Sequence, residues 1–592
     1  MLIPTDPDAK ARHVKWIIDG CLYSRKDRKD LYDRRRRFYL HGSGADEEVR
    51  YNRLESHLDL VCAFLYSAES AQFALAAAMN AGDDEVKKFM AAQDQFNSDL
   101  RDAGLFDFFG DALIWSLVYD SIVLKAGWSN NREEMTIKRI APWNFGVFSE
   151  EEEDLDSQQA FVHSYHIDYD NAVQRLLRAG LAEKISRLQV TNTPFESPFP
   201  ELITRMIITA TAGSSLTGNV TGAVNPSYME RPTYQAKVDR PLVLMHELTV
   251  WDDKYDDYRM FMVVDPDIII SDGHEVIQAR KRGKDFQAER AEQDRFYNTE
   301  CNEFLAKEHP FVHIRPYQVD DYFWGKAHLE SLMPLQEWSN ERLEQIHDIL
   351  EKQAYPPRVG SGFLGLSDEK MEAFGGADSW VMDQLPNASI KELVPEMPPD
   401  IFADFTSIGQ IFLEASGLTE ILQGRGEAAG VRSRAHAKEL KTTGAGRIKK
   451  AAVRLEAPLV RLGDLGLKLM MRNDPEAITP DPREDGKPGD PFYYHNLGDR
   501  YTLRISGHSH SPLFVDDTRE LAALLFKAQA IDQEMLIRLM NPPNKDNLIH
   551  ALRTRMRRAA MMRAMNPGAG AAPSGKQRSK HASQAQAGPA LS

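Results

Sequence analysis

Cysteine is scarce in this chain. Cys21, Cys62 and Cys301 are odd in number, far apart and in no metal-ligand spacing, which excludes a disulfide framework or a zinc knot. Long apolar runs are lacking as well. No stretch approaches the ~20 residues that cross a bilayer, and Met1-Leu2-Ile3-Pro4-Thr5-Asp6 starts no secretory core, so the expected setting is the cytosol and no membrane. Positive charge is in deficit, with 72 Lys and Arg against 88 Asp and Glu and a net charge of −16. That balance argues against a surface that grips nucleic acid over much of its area, although it leaves room for sparse contacts that must stay weak. What the chain does have is bulk. At 592 residues, 42% hydrophobic and 27% charged, it has the composition of a globular protein with several domains.

The stretch from Gly325 to Pro357 organises the rest. Leu332, Leu335, Leu343, Ile346 and Leu350 recur at helical spacing, while Glu337, Glu341, Glu344, Asp348 and Glu351 take the other positions. This predicts a helix over 326–353 with one narrow apolar face, ~40 Å long at ~1.5 Å per residue. Pro356-Pro357 stops it by removing two backbone donors. An ordinary amphipathic helix lying on a core would read the same way, so its neighbours decide its meaning.

Residues 8–126 read as mostly helical, with Gly42-Ser43-Gly44 between two helices. Arg34-Arg35-Arg36-Arg37 before Phe38-Tyr39 has the look of a nucleic-acid patch, but nearby Asp27, Asp30 and Asp33 favour salt bridges. Strands are expected at 122–128, 135–140, 145–148 and 161–166. Glu150 to Asp154 reads as a solvated acidic loop, and His163 and His166, three apart on a strand, face opposite ways and suit no shared metal. Residues 212–232 read as a flexible loop. Leu242–Trp251 and Tyr258–Val264 flank a polar turn as a hairpin, and the turn's aspartates lack the spacing of a calcium loop and read as solvated. Another strand falls at Phe311–Arg315.

Gly360-Ser361-Gly362-Phe363-Leu364-Gly365 matches a dinucleotide fingerprint in letters, but its supposed helix stops at Gly375-Gly376. Gly570 to Lys576 resembles a phosphate loop, with Gln577 where Ser or Thr belongs and no strand before it. No cofactor, metal or catalytic set is expected. A helix follows over 401–416, with Phe402, Phe405, Ile408, Phe412 and Leu413 on one face. The glycine-rich break Gly424-Arg425-Gly426-Glu427-Ala428-Ala429-Gly430 then leads into a long helical pattern over 432–472, basic in its first half and kinked at Pro458. Short strands at 492–494 and 501–505, two histidines at 508 and 510, a helix over 516–540 and a basic helix over 545–564 come next. The remainder, rich in Gly, Ala, Pro, Ser and Gln, is expected to be disordered.

This order of elements resembles the portal, or head-to-tail connector, proteins of tailed bacteriophages. The resemblance is carried by Phe311-Val312-His313-Ile314-Arg315, the Trp324-Gly325 entry, the long helix ending in Tyr355-Pro356-Pro357-Arg358-Val359, and the helix leading to Gly417-Leu418-Thr419-Glu420. The Gly424–Gly430 break, Arg432-Ser433-Arg434-Ala435 and Asn541-Pro542-Pro543 complete it. It is best over about 310–563.

The resemblance implies an α+β, predominantly helical portal fold with wing, stem, clip and crown. The implied division is an N-terminal helical wing region over 1–122, an α/β wing and clip region over 123–325, the stem helix over 326–353 and a β-rich wing segment over 354–398. A tunnel-loop and long-helix region over 399–473, a linker with short strands over 474–515, a helical crown over 516–564 and a basic tail over 565–592 follow. Leu332, Leu335, Leu343, Ile346 and Leu350 would be the stem stripe. Gly424, Arg425, Gly426, Glu427 and Gly430 would line the channel, with Arg425, Arg432, Arg434, Arg553 and Arg557 as candidate DNA contacts. The family implies no enzyme activity. It implies a ring, a dodecamer, at one capsid vertex of the virion, assembled in the host cytoplasm. Its partners would be the terminase large subunit, head-completion and tail adaptor proteins, major capsid and scaffolding proteins, and double-stranded DNA passing through. Another tail or internal head protein is the nearest alternative, and a metal-dependent nuclease using His163, His166, His508 or His510 a more distant one.

Overall fold

Asp6 accepts the Ala9 amide at 2.9 Å and Pro7 sits where no backbone donor is needed, so the chain's first helix starts with both a cap and a preset φ. Helices α1 (Pro7–Leu22), α2 (Arg25–His41) and α3 (Leu54–Leu65) precede a short strand β1 (Phe73–Ala77), and α4 (Asp83–Asp102) and α5 (Leu105–Tyr119) follow. The computed structural model describes residues 1–23, 25–43, 51–77, 83–129, 134–190, 241–265, 267–273, 307–356, 358–363, 384–392, 394–416, 446–473, 477–478, 490–497, 501–505, 511–540, 542, 548–549, 551–556 and 558. Two compact units divide the chain, Met1–Phe514 and Val515–Ser592. The fold is α+β.

In the first unit, β2 (Ile122–Ser129) lies between β3 (Glu134–Ile140) and a later strand, and β4 (Phe145–Val147) and β5 (Ala160–Asp168) lead to helix α6 (Tyr169–Arg178). Then β6 (Leu242–Asp252), β7 (Asp257–Val264) and β8 (Ile268–Ser271) complete an antiparallel sheet in the order β4-β5-β6-β7-β8. Period-two alternation explains its two covered faces. Val243 and Met245 of β6 and Met260, Met262 and Val264 of β7 pack with Ala172 and Leu176 of α6. Their neighbours Leu248, Val250, Phe261 and Val263 point the other way, onto Val14, Ile17, Ile18 and Cys21 of α1. With both faces covered, β7 is buried along its whole length, which is why it reads as an almost unbroken apolar run.

Strand β9 (Phe311–Ile314) pairs with β2 to give the three-stranded order β3-β2-β9. One face carries Leu124, Ala126, Val312 and Ile314 into the main core, among Leu105, Phe109, Leu113 and Leu117 of α5. The other carries Val123 and Phe311 onto Phe145, Val147, Phe161 and Tyr258 of the five-stranded sheet. Lys125 shares that second face and bridges to the buried Glu247 of β6 at 2.5 Å. Burial alone would raise the Glu247 carboxyl, but the Lys125 ammonium and then the His163 ring, 3.3 Å away, outweigh it and hold the group below the usual carboxylate range. Tyr165 donates to its other oxygen at 2.7 Å.

Helix α7 (Met333–Ala354), the hairpin β10 (Arg358–Phe363) with β11 (Gln384–Glu392), and α8 (Ile401–Ser416) come next, then α9 (Gly446–Arg454), α10 (Glu456–Asn473) and β12 (Tyr501–Ile505). Strand β12 pairs with β1, and α10 runs so close over them that a Cβ on Gly463 would lie 2.5 Å from Phe73. The long helix expected over 432–472 is broken at Leu455, one residue beyond the carbonyl of Arg454 that Pro458 leaves without a donor; residues 432–445 lie outside the described ones.

The dinucleotide-like letters at 360–363, already rejected as a fingerprint, form an antiparallel strand of the β10–β11 hairpin. Three further readings are corrected. The hairpin turn of β6 and β7 is not simply solvated: Asp252 is buried on Arg259 at 3.0 Å, and Asp257 accepts the Lys307 amide at 2.8 Å. Phe492 makes only a bridge to Ile478, with a 3-10 turn at Tyr494–Leu497 in place of a strand. The helix expected over 516–540 is two, α11 (Pro512–Lys527) and α12 (Gln533–Met540), because Gln529 turns to a φ of 58°. In the second unit, Ala522 and Ile549 are the buried apolar side chains among its described residues. The loop 212–232, the histidines at 508 and 510 and the tail from 565 lie outside the described residues.

Truncating one partner of the Lys125–Glu247 pair strands a buried charge. Glu247→Ala is expected to lower stability by about 3–5 kcal/mol in urea unfolding, and Lys125→Met with Glu247→Leu to recover most of that loss. A double variant no more stable than the single one would contradict this account.

Candidate functional site

Pro334 fixes where α7 begins. A proline fits the first helical turn but would clash inside a helix, so the helix starts at Met333 and not at residue 326. The preceding residues form a 3-10 turn at Leu329–Ser331. The far end is where the sequence places it, with Tyr355 leaving helical geometry before Pro356.

Exposure rises along the expected stripe. Leu332 is fully buried and Leu335 packs on the main core, Leu343 and Ile346 are half-buried, and Leu350 is 49% exposed. The root is held by polar side chains four apart. Gln336 donates to the Tyr51 carbonyl at 2.8 Å and to Asn340 at 2.9 Å, and Asn340 donates to the Gly42 carbonyl at 2.7 Å. The Gln336 amide oxygen accepts the Arg53 backbone N–H at 3.2 Å. Beyond Asn340 no residue of α7 is buried. That outer portion, ~20 Å of helix, is accompanied by α8, through Arg342 to Asp404 at 2.5 Å, and Gln353 donates to the Pro395 carbonyl at 3.0 Å.

The return helix α8 enters the core with Ile408 and Phe412, the latter edge-on to His57 at 5.2 Å. Arg53 lies over Phe405 at 4.8 Å. Phe402, expected on the buried face, is 54% exposed because α8 has left the core at that level. Tyr355, at 74%, and Val394, at 53%, add to the apolar surface carried by this helix pair. Two helices joined through the β10–β11 hairpin thus stand on the core by one end.

The acidic run at 150–154 is a fastening and not a solvated loop. Glu150 accepts from the Trp324 indole at 2.7 Å and pairs with Arg28 at 2.8 Å, and Arg28 also lies over the Trp324 ring at 3.8 Å. The Glu150 carbonyl accepts the Phe323 amide, Glu153 accepts the Asp321 amide and the Gln318 side chain, and Asp154 pairs with Arg315 at 2.9 Å. The backbone hydrogen bond from Asp321 comes first among the causes that hold the Glu153 carboxyl below its usual range. These bonds seat the loop that feeds α7. Partners ~170 residues apart leave no local pattern, which is why the run looks solvated in sequence.

The arginine patch is likewise engaged. Arg35 is buried on Asp120, Arg34 meets Glu337 at 3.1 Å and Arg37 meets Asp33 at 2.8 Å. Arg553, a candidate DNA contact, pairs with Glu534 at 2.6 Å, which Arg538 also approaches at 3.2 Å. Gly424, Arg425, Gly426, Glu427, Gly430, Arg432, Arg434 and Arg557 lie outside the described residues. Among the described residues, no group of three or more His, Cys, Asp or Glu is gathered as a metal site, and no helix is long and apolar enough to cross a membrane. A scan against protein-family models and a search among curated proteins gave no match to this chain.

His57 sits where α8 meets the core, and burial lowers its pKa to about 4 from the usual 6.5. Burial also lowers His163, His309 and His313. A histidine held neutral in the fold contributes stability above its unfolded pKa that is lost as pH falls toward the folded value. Thermal stability is therefore expected to fall between about pH 6.5 and 4, with up to ~3 kcal/mol from His57. His57→Phe should flatten that part of the profile, and an unchanged profile would remove His57 from the account.

Proposed function

We propose that this chain is the subunit of a portal ring at a virion's capsid vertex, through which DNA is packaged and ejected. The observation that carries the reading is the helix pair α7 and α8. It is rooted in the core at one end, and its outer half exposes Leu350 and Phe402 in a lone chain. Copies arranged about an axis supply such a stripe with partners, because a heterologous contact repeated by rotation closes into a ring. In this reading α7, with its stripe from Leu332 and Leu335 through Leu343, Ile346 and Leu350, is the stem helix, and the β10–β11 hairpin that follows it belongs to the β-rich wing segment.

The remaining roles come from the resemblance. Residues 424–430 would line the narrowest part of the channel, with Arg425 touching phosphates. The second unit would form the crown, and terminase, tail adaptors, scaffold and capsid protein would be the docking partners. A net charge of −16 suits a channel that must let DNA slide. The motor chemistry would belong to the terminase.

Sedimentation and negative-stain imaging of the purified chain test this. A closed ring with an axial hole is the expected result, and a defined dimer would sink it. Leu350→Asp places a charge in the seam where burial of an apolar side chain would contribute ~1.5–3 kcal/mol per contact. It is expected to shift the ring toward monomers without changing the monomer's unfolding midpoint. With the ring established, Arg425→Ala is expected to reduce the DNA packaged per head.

A further inference from the structure

The five-stranded sheet ends at β8, which pairs with β7 on one side and with no strand on the other among the described residues. Beside that edge lies an open cleft of about 460 Å³. Its wall includes Ile269, Ile270, Ser271 and Asp272 in unbroken succession. Side chains alternate between the two faces of a strand, so a cleft that touches four residues in a row meets the strand along its edge and not on a face.

The two layers that cover the sheet overhang this edge. Lys10 and Ala11 come from α1, which covers one face, and Ala179 caps α6, which covers the other. The 3-10 turn at Ala182–Arg187 continues the second layer, with Ile185 packed on the same cluster as α6, and it lends Lys184 and Arg187 to the cleft. The cleft therefore lies where the next strand of the sheet would run, between the same two layers. The edge is held in shape from behind. Arg259 donates to the Asp272 carbonyl at 2.6 Å, and Gly273 turns the chain away with a φ of 67°.

We propose that this slot is a docking site for an extended, acidic peptide segment of another protein, which adds to β8 as a further strand and sets a carboxylate against Lys184. Main-chain hydrogen bonds along β8, ~13 Å of strand at ~3.3 Å per residue, supply the affinity, and the charges of the slot choose the sequence. The acids at the two ends of β8 are already answered. Asp272 is met by Lys10 at 2.7 Å and by Arg259 at 3.0 Å, and Asp267 by Arg187 at 2.7 Å. Asp8 stands on the α1 flank, away from the 3-10 turn. Lys184 is the cation of the slot that meets no carboxylate among the described residues. The chain's own tail from 565 carries Lys576, Arg578 and Lys580 and no acid, so its charge does not suit the slot.

Fluorescence anisotropy of the full-length chain with labelled, end-blocked hexapeptides tests the site. The probes are Thr-Val-Glu-Val-Thr-Val and its counterpart with Lys in place of Glu. The acidic probe is expected to bind saturably and about 5-fold tighter than the basic one, the size of one exposed ion pair, and Lys184→Glu should reverse the order. Methylating alternate backbone nitrogens of the acidic probe, in each of the two phases, separates strand addition from charge alone. An added strand turns one set of N–H groups to β8 and the other away, so one phase should abolish binding and the other retain it. Amide exchange over 268–273 should slow with the probe bound. No saturable binding, equal affinity in both methylation phases, or an acidic preference that survives Lys184→Glu overturns the proposal. The methylation pair is read on the parent chain, and it decides the matter alone should Lys184→Glu fail to fold.

Discussion

The approach of two backbone segments at Gly325 is the constraint on which the first unit depends. A Cβ there would lie 2.7 Å from the Tyr317 carbonyl and 2.8 Å from that of Asp120, distances no side chain tolerates. Because the chain can pass so closely, Phe323 and Trp324 reach the junction between the two sheets, where both are fully buried. The same passage sets the register of the chain as it enters α7. The His328 amide meets the Leu117 carbonyl at 3.0 Å, and four residues further on Leu332 closes the core under the first turn of α7. The acidic run at 150–154 holds the segment from one side and Arg35 holds it from the other. A helix that projects from a core needs a rigid root, and this one is fixed by backbone contact, a charged clasp and an aromatic plug together.

Legibility in the sequence depended on how local the cause was. Strands β5 to β7 were readable because their apolar pattern answers to layers on both faces, and α8 because proline precedes it and its residues recur at helical spacing. The break at Leu455 was announced by Pro458 three residues away. The start of α7 was misplaced because Gly325 looked like a boundary, whereas the informative residue was Pro334, which only a first turn accepts. Long-range causes leave no such trace. Strand β1 exists because β12, more than 400 residues later, pairs with it, and the acids at 150–154 found their partners at 315–324. At the site, the leucine stripe was legible while the clasp of Gln336 and Asn340 was not, since two polar residues four apart on a helix are ordinarily solvated.

The charges tell a related story. Clusters of arginine suggest nucleic acid only while their partners are unknown. Once the chain is folded, Arg28, Arg34, Arg35, Arg37, Arg315 and Arg553 all lie against carboxylates of the chain itself. Where the pair is buried, as at Arg35 and Asp120, the interaction is specific and costly to break, and where it is exposed, as at Arg34 and Glu337, it is worth little. The chain's net charge is −16, and these arginines are paired within it. In the portal reading proposed above, an acidic balance would let DNA pass and leave phosphate contact to a few residues.

The gradient of exposure along α7 then has a physical reading. A stretch of ~14 helical residues is marginal in water without tertiary support. Here α8 covers one side with the Arg342–Asp404 pair and the half-buried Phe405, while Leu350 and Phe402 remain in solvent. Had the pair evolved only to lie on its own core, the stripe would continue the burial begun at Leu332. Its exposure grows with distance from the root, and the acids Glu341, Glu344, Asp348 and Glu351 keep the remaining faces soluble. In the ring proposed above, an apolar seam that opens outward from a rigid base would be covered by the neighbouring copy, and rotation about an axis would let every copy complete the next.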